Sequence, residues 1–258
     1  MGQRRLVFVS DPLAHPSDTV LGTAVANLPT AANAPSGSST VKLTSADFIA
    51  LGGGTNGLCV NASAVVVVGC AGAGVYAGVI TLTNGVVQNT STPLLNYTRP
   101  STANQYDAIS VTEHEIDEVL GIGGPSSMLG TTHQSPAVGM TDLYRYSKAG
   151  TFSYITSGAA TSYFSVNGGT TSIVGANQNS TGDYADFAST GNCPVAVPDV
   201  QDAFGCQNQS PDVTRASPEA ILLQAIGYQL TNVPEPTTMA MLGLGLGALP
   251  VLRRRRKV

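Results

Sequence analysis

Apolar residues fall along the chain in two rhythms. At 44–51, Ser45 precedes Phe48, Ile49 and Leu51, and Gly52-Gly53-Gly54 follows. A capping residue, an apolar face and a glycine stop predict a short helix. At 110–124 the order is Ser110-Val111-Thr112-Glu113-His114-Glu115-Ile116-Asp117-Glu118-Val119-Leu120-Gly121-Ile122-Gly123-Gly124. Ile116, Val119 and Leu120 sit on adjacent turns, which predicts a helix capped by Thr112, facing the core with those three, and ending near Gly121 or Gly123. At 217–227, Ser217 precedes Pro218 and Glu219, and Ile221, Leu222, Ala225 and Ile226 make a stripe up to Gly227. That predicts a third helix with Ser217 as its cap.

The second rhythm is that of strands. The β-branched run at 64–68 predicts a buried strand, and 74–82 a second, turning at Asn84-Gly85. Residues 142–176 read as β-rich, with short aromatic strands at 143–146, 152–155 and 162–166 and a hairpin turn at Asn167-Gly168. Tyr144, Tyr146, Phe152, Tyr154, Tyr163 and Phe164 are expected to be core and cross-strand pairs rather than a binding platform. Residues 10–40, rich in Ala, Pro, Ser, Thr and Asn, read as loop. The chain thus divides into a low-complexity N-terminal part (1–40), a domain over 41–230, a linker over 231–238 and a C-terminal segment over 239–258.

Composition narrows the function. Hydrophobic residues make up 42% of 258, so wholesale disorder is excluded. Charged residues are 11%, against about 25% in ordinary globular chains. Arg253, Arg254, Arg255, Arg256 and Lys257 are five of the twelve basic residues; the other seven face sixteen acidic ones, a body of net −9. Such a body has no footprint for nucleic acid. Gly52-Gly53-Gly54 and Gly72-Ala73-Gly74 are not phosphate loops, because no Gly-Lys-Ser/Thr follows either.

The basic cluster ends an apolar stretch. Sixteen uncharged residues run from Thr237 to Leu252, about 24 Å as a helix against a hydrocarbon core of about 30 Å. The expectation is a short transmembrane helix with its arginines on the cytoplasmic side and the body exported. A buried C-terminal helix is the plainer alternative, disfavoured by the interleaved glycines and the basic end. Val233-Pro234-Glu235-Pro236-Thr237, the apolar run and the Arg tail together resemble the PEP-CTERM sorting signal. The resemblance implies an exosortase-type sorting enzyme as partner at the tail. It also implies a transient inner-membrane tether through 239–252, then delivery to the outer surface or an extracellular polymer.

At the other end, Arg4 and Arg5 precede Leu6-Val7-Phe8-Val9, but Asp11 breaks the run. A signal peptide needs an apolar core of about 7–15 residues, so the expectation is that the chain begins after its true start. Cys59 and Cys70, and Cys193 and Cys206, are most simply two local disulfides in an oxidising compartment; four buried free thiols are the alternative. Their spacing lacks the CxxC pattern of a structural zinc site.

The chemistry concentrates at 114–118. His114 and Glu118 are i and i+4 and share a helix face, and both offer good zinc donors. Glu115, beside the first ligand, is placed to take a proton from zinc-bound water. A plainer reading stands next to this one. Thr112 with Glu115, and Ser110 with Glu113, each satisfy a helix capping box.

The segment 114–121 further resembles the helix of zinc metalloproteases that carry this same sorting tail. There a His-Glu-Ile-x-Glu-Val-hydrophobic-Gly helix precedes an Asp-Leu-[Phe/Tyr]-Arg-Tyr-Ser strand, here Asp142-Leu143-Tyr144-Arg145-Tyr146-Ser147. The likeness continues through 163–169, 182–187, 201–204, 217–219 and 225–228. It implies an α/β (α+β), zincin/metzincin-like fold: a short mixed sheet packed on the active-site helix, with a β-rich C-terminal part. It implies a Zn2+ cofactor and a protein or peptide substrate hydrolysed with Glu115 as base. In the metzincin pattern the third ligand falls on Gly124, which has no side chain. His133 is the first candidate in its place and Asp142 the second. Asp117 is the third, as a ligand or a residue orienting one. Tyr144, Arg145 and Tyr146 are candidates for stabilising the oxyanion, without a choice among them. Met128 and Met140 are read as packing. A carboxylate in place of a second imidazole lowers the site's charge, so a slow or narrow protease is expected. The alternative is a non-catalytic surface or matrix protein on the same scaffold; for a small-molecule hydrolase no feature speaks.

Overall fold

The structure, a computed structural model, describes residues 6–10, 19–29, 40–83, 85–86, 91–100, 104–130, 137–158 and 161–232. In chain order its elements are β1 (Leu6–Ser10), α1 (Thr19–Ala26), β2 (Thr40–Lys42), α2 (Ser45–Ala50), β3 (Leu58–Asn61), β4 (Val66–Val68), β5 (Val75–Tyr76), β6 (Leu95–Asn96) and β7 (Tyr106–Asp107). There follow α3 (Ala108–Leu120), β8 (Ala137–Gly139), β9 (Arg145–Lys148), β10 (Thr151–Phe152), β11 (Tyr163–Phe164), β12 (Val174–Gly175), α4 (Pro218–Ala225) and β13 (Tyr228–Asn232).

The strands make several small sheets rather than one. A four-stranded antiparallel sheet runs β10-β9-β11-β12, and β4-β3-β5 is a three-stranded antiparallel one. β1 pairs antiparallel with β13, while β2 with β8 and β6 with β7 are parallel pairs. The result is a mixed α/β fold. The expected single sheet packed on the active-site helix is not what the described residues form: α3 lies against α2 and β7, and no zincin-specific topology appears. The core lies elsewhere, between α4 and the four-stranded sheet, with Leu143, Phe164, Phe187, Leu222, Leu223 and Ile226 all buried.

Three helices stand where the sequence puts them: α4 starts as expected, with Ser217 at its N-cap position and Pro218 first, while the other two start differently. Thr44, not Ser45, caps α2, its side chain accepting from the Asp47 N–H. Asp107 caps α3, its Oδ1 accepting from Ile109 and Ser110. The helix therefore begins four residues before Thr112, whose hydroxyl donates to the Ala108 carbonyl inside it. Neither capping box forms, because Glu113 and Glu115 are already mid-helix. Gly121 ends α3 with φ 106°, a left-handed stop that suits glycine. The buried side of α3 is only in part the apolar one expected: Leu120 packs against the core, but Ile116 is 41% exposed, and Ser110 and Asp117 are buried. Part of the stretch expected as loop is the helix α1, which packs on α4.

Strand expectations need more correction. The run at 64–68 is not buried; Val68 is 86% exposed and belongs to an outer strand of the three-stranded sheet. Only Val75–Tyr76 of 74–82 is strand. Residues Thr141–Tyr144 form a turn of 3₁₀ helix, and the strand starts at Arg145. The cause is Asp142, whose carboxylate accepts from Ser127 Oγ (2.6 Å), Met128 N (2.9 Å) and Gly139 N (2.8 Å) and bends the chain around itself. The aromatic residues do pack on one another: Tyr146 stacks on its cross-strand partner Phe152 at 4.5 Å, and Phe152 on Tyr154. Both local disulfides, Cys59–Cys70 and Cys193–Cys206, are present.

Among the described residues no helix is long and apolar enough to cross a membrane. Against the expected transmembrane helix and the transient inner-membrane tether through 239–252, the described residues thus hold no membrane-spanning helix. The apolar stretch was already too short and too interrupted by glycine for a comfortable span. Residues 239–252 themselves lie outside the described residues.

Candidate metal centre

The helix α3 presents His114 and Glu118 one turn apart, with His114 Nε2 3.4 Å from Glu118 Oε1. Two loops complete the surroundings. One carries Asp186, whose Oδ1 accepts from the Gly124 N–H at 2.9 Å. The other carries Val200 and Gln201. Val200 O lies 2.9 Å from His114 Nδ1, and Gln201 Nε2 lies 3.2 Å from His114 Nε2 and 3.1 Å from Asp186 Oδ1. Ligand atoms of His114, Glu118 and Asp186 all fall within 4.8 Å of one another.

Glycines make this convergence physically feasible. A Cβ on Gly124 would stand 2.4 Å from the Glu118 carboxylate carbon, and one on Gly123 would stand 1.9 Å from Gln201 Nε2. Both positions have positive φ (76° and 40° in chain order), so both reasons favour glycine. The turn after α3 is thus a bare floor under two polar side chains.

The donor set fits a divalent ion such as zinc. With Nδ1–H donating to the Val200 carbonyl, the imidazole is held in the tautomer that leaves the Nε2 lone pair facing the two carboxylates. A tetrahedral ion with bonds of about 2.0–2.1 Å keeps its donor atoms about 3.3–3.5 Å apart, and the His114–Glu118 separation of 3.4 Å matches that edge.

Electrostatics point the same way. Burial disfavours the charged imidazole, but the Glu118 hydrogen bond, the Val200 carbonyl and the charges of Asp186 and Glu118 outweigh it and push His114 up to about 9. The site therefore draws positive charge to Nε2. Burial pushes Asp186 up to about 6 against the opposing Gly124 N–H, the His114 charge and the Gln201 amide. Glu115, half-buried, is raised by burial and then by the charge of Glu118. Asp183 is raised by burial and by Glu118 as well, so Glu115 and Asp183 both feel the same carboxylate.

Among the described residues, the cluster includes none of the other expected residues. His133 falls outside the described residues. Asp142 is engaged in the brace described above. Asp117 is 2% exposed, and its raised pKa comes from burial and then from Glu219 and Glu113. The polar ends of the three oxyanion candidates face backbone carbonyls: Tyr144 donates to Ala225, Tyr146 to Asn27, and Arg145 to Tyr184, Ile155 and Asn177. Asp186 and Gln201 were not singled out by sequence. Their signal is modest: single polar residues set among buried neighbours, Ala185 and Phe187 for one, Val200 for the other.

A cavity of about 220 Å³ is lined by His114 together with Ser110, Val111, Asp202 and Pro211.

No curated protein matches the chain, and no solved structure does. The metalloprotease resemblance thus gains no family assignment from relatives. One family model does match, at the end of the chain: residues 232–257 are a PEP-CTERM protein-sorting motif.

Proposed function

We propose that this chain is a surface-sorted, zinc-dependent peptidase whose metal is held by His114, Glu118 and Asp186. The observation that carries the reading is the convergence within 4.8 Å of one imidazole nitrogen and one carboxylate from α3 with a second carboxylate from the loop that carries Asp186. The sorting motif supports export and recognition by an exosortase-type enzyme. Two disulfides agree with an oxidising destination.

A bound zinc ion supplies Lewis acidity and lowers the pKa of a water. The chain's own residues supply the rest. Val200 holds the imidazole ring through Nδ1, and the Gly124 N–H holds Asp186. Glu115 is adjacent to His114 in sequence, with a pKa raised above the ordinary carboxylate value. That suits a general base, which works best when its pKa approaches the operating pH.

The test is native mass spectrometry of the protein with zinc, beside Asp186→Asn and Glu115→Gln, followed by a peptide-library digest. The expected result is one zinc per chain, lost in Asp186→Asn and kept in Glu115→Gln, with cleavage abolished in both. Zinc binding without cleavage of any peptide favours the second reading, a non-catalytic surface or matrix protein, which the sorting motif serves equally well.

A further inference from the structure

We infer that Gln201 is a fourth ligand of this centre, binding through its carboxamide oxygen. The inference rests on the three-ligand reading above and deepens it.

Gln201 is fully buried, and among the described residues its Oε1 has no hydrogen-bond partner. The other end of the same amide, Nε2, faces the cluster at 3.2 Å from His114 Nε2 and 3.1 Å from Asp186 Oδ1. Both separations are close to the edge of a tetrahedron around a zinc ion, about 3.3–3.5 Å. The amide therefore stands at a ligand's distance from two ligands.

Which end points inward depends on charge. Asp186 Oδ1 presents an electron pair, so an NH2 group beside it at 3.1 Å is attractive without a cation. With a cation there, that pair is committed to it and an NH2 group has nothing to donate to. Rotation about Cγ–Cδ then brings Oε1 into the same place. The carboxamide keeps its shape in that turn, and one end remains at the dry position either way.

The surroundings fix the side chain for this role. The Gln201 N–H donates to Glu219 Oε1 at 3.0 Å, tying the backbone to the first turn of α4. Gly123 leaves the space that the amide fills. A neutral amide is the weakest of the four donors, so it is the one that water or a substrate carbonyl can displace.

The experiment has two readouts, neither of them catalysis. The first is a crystal structure of the zinc-loaded protein with the ion located by anomalous scattering. Gln201 Oε1 at about 2.0–2.3 Å from zinc is expected; a distance beyond about 3 Å overturns the inference. The second is zinc affinity by chelator competition for wild type, Gln201→Leu and Gln201→Glu. Leu should weaken binding about tenfold or more and Glu should restore or exceed wild type. If Gln201→Leu misfolds, Gln201→Glu and the zinc-loaded structure still decide. Unchanged affinity in a folded Leu variant overturns the inference while leaving three-ligand binding intact. Failure of the wild type to bind zinc overturns the reading on which it rests.

Discussion

Gly124 lies directly beneath Glu118: a Cβ on the glycine would stand 2.4 Å from the glutamate's Cδ and Oε1. This is the position at which a metzincin pattern asks for a histidine. Here the space belongs to the Glu118 carboxylate instead, and the backbone N–H of the same glycine holds Asp186. One residue thus clears room for one carboxylate and orients another.

Gly124→Ala should therefore damage the centre more than the fold. The φ of 40° alone costs an alanine roughly 1 kcal/mol, and Glu118 must turn away to avoid the methyl group. A melting temperature lowered by several degrees with zinc affinity reduced at least tenfold is expected. Equal affinity in the variant, by chelator competition, would show that Glu118 does not bind metal.

Asp142 gives the contrasting case, since it was a candidate ligand by sequence. Of the three bonds it accepts, those from Ser127 and Gly139 are buried and that from Met128 is partly buried. Asp142→Ala leaves those donors without a partner, at about 1–3 kcal/mol each. Thermal unfolding should show a loss of several kcal/mol, while zinc affinity per folded molecule stays near wild type. A stable variant that no longer binds zinc would return Asp142 to the ligand set.

Asp47, against the end of α3, predicts a pH dependence of its own. It is fully buried, neither carboxylate oxygen has a hydrogen-bond partner among the described residues, and Gly121 lies against it. Burial pushes its pKa up to about 7, with Thr44 offsetting only part. In the unfolded chain it ionises near 3.8, so between those values the folded state holds a proton that the unfolded state has lost. Stability must then fall as pH rises from about 4 to about 7, and level off above. The size is on the order of a few kcal/mol. Urea unfolding of wild type and Asp47→Asn at pH 4, 5.5 and 7.5 isolates this group from the other raised carboxyls. The variant should gain on wild type as pH rises; a constant difference refutes the argument.

The local part of the centre was legible in sequence because helix geometry is local. Spacing alone puts His114 and Glu118 on one face, and Glu115 next to them. The start of α3 was misread because Thr112 and Glu115 imitate a capping box, while the true cap, Asp107, stands ahead of the apolar pattern. The exposed β-branched run at 64–68 was misread for another reason. Its residues fit a strand's backbone equally well on either side of a sheet, and only tertiary context decides which side meets water. Asp186 and Gln201 fell within the segments 182–187 and 201–204 that carry the resemblance, but nothing there gave them a role: one lies 62 residues after Gly124 and the other 87 after His114. No periodicity spans such distances. What brings them together is Phe187 packed in the core with Leu222 and Leu223 of α4, and the Gln201 N–H bonded to Glu219 at the start of that helix, a property of the whole fold.

The Cys193–Cys206 disulfide should matter to the centre, and Cys59–Cys70 should not. The first closes a loop of 13 residues that contains both Val200 and Gln201. Chain entropy assigns a loop of that size about 3 kcal/mol. Inside it, Val200 O fixes the imidazole of His114 through Nδ1, and the Gln201 amide reaches Asp186. Opening the bridge frees the loop at the end nearer Gly205, while the bond from Gln201 N to Glu219 still anchors its middle. The expected outcome is partial loss: Cys193→Ser/Cys206→Ser should weaken zinc binding about tenfold and raise amide exchange across 195–206. Cys59→Ser/Cys70→Ser removes a staple in the three-stranded sheet, away from every donor atom. It should lower the melting temperature and leave zinc affinity unchanged. If the two double variants weaken zinc binding equally, the loop is not what positions His114, and the loss reflects global stability alone.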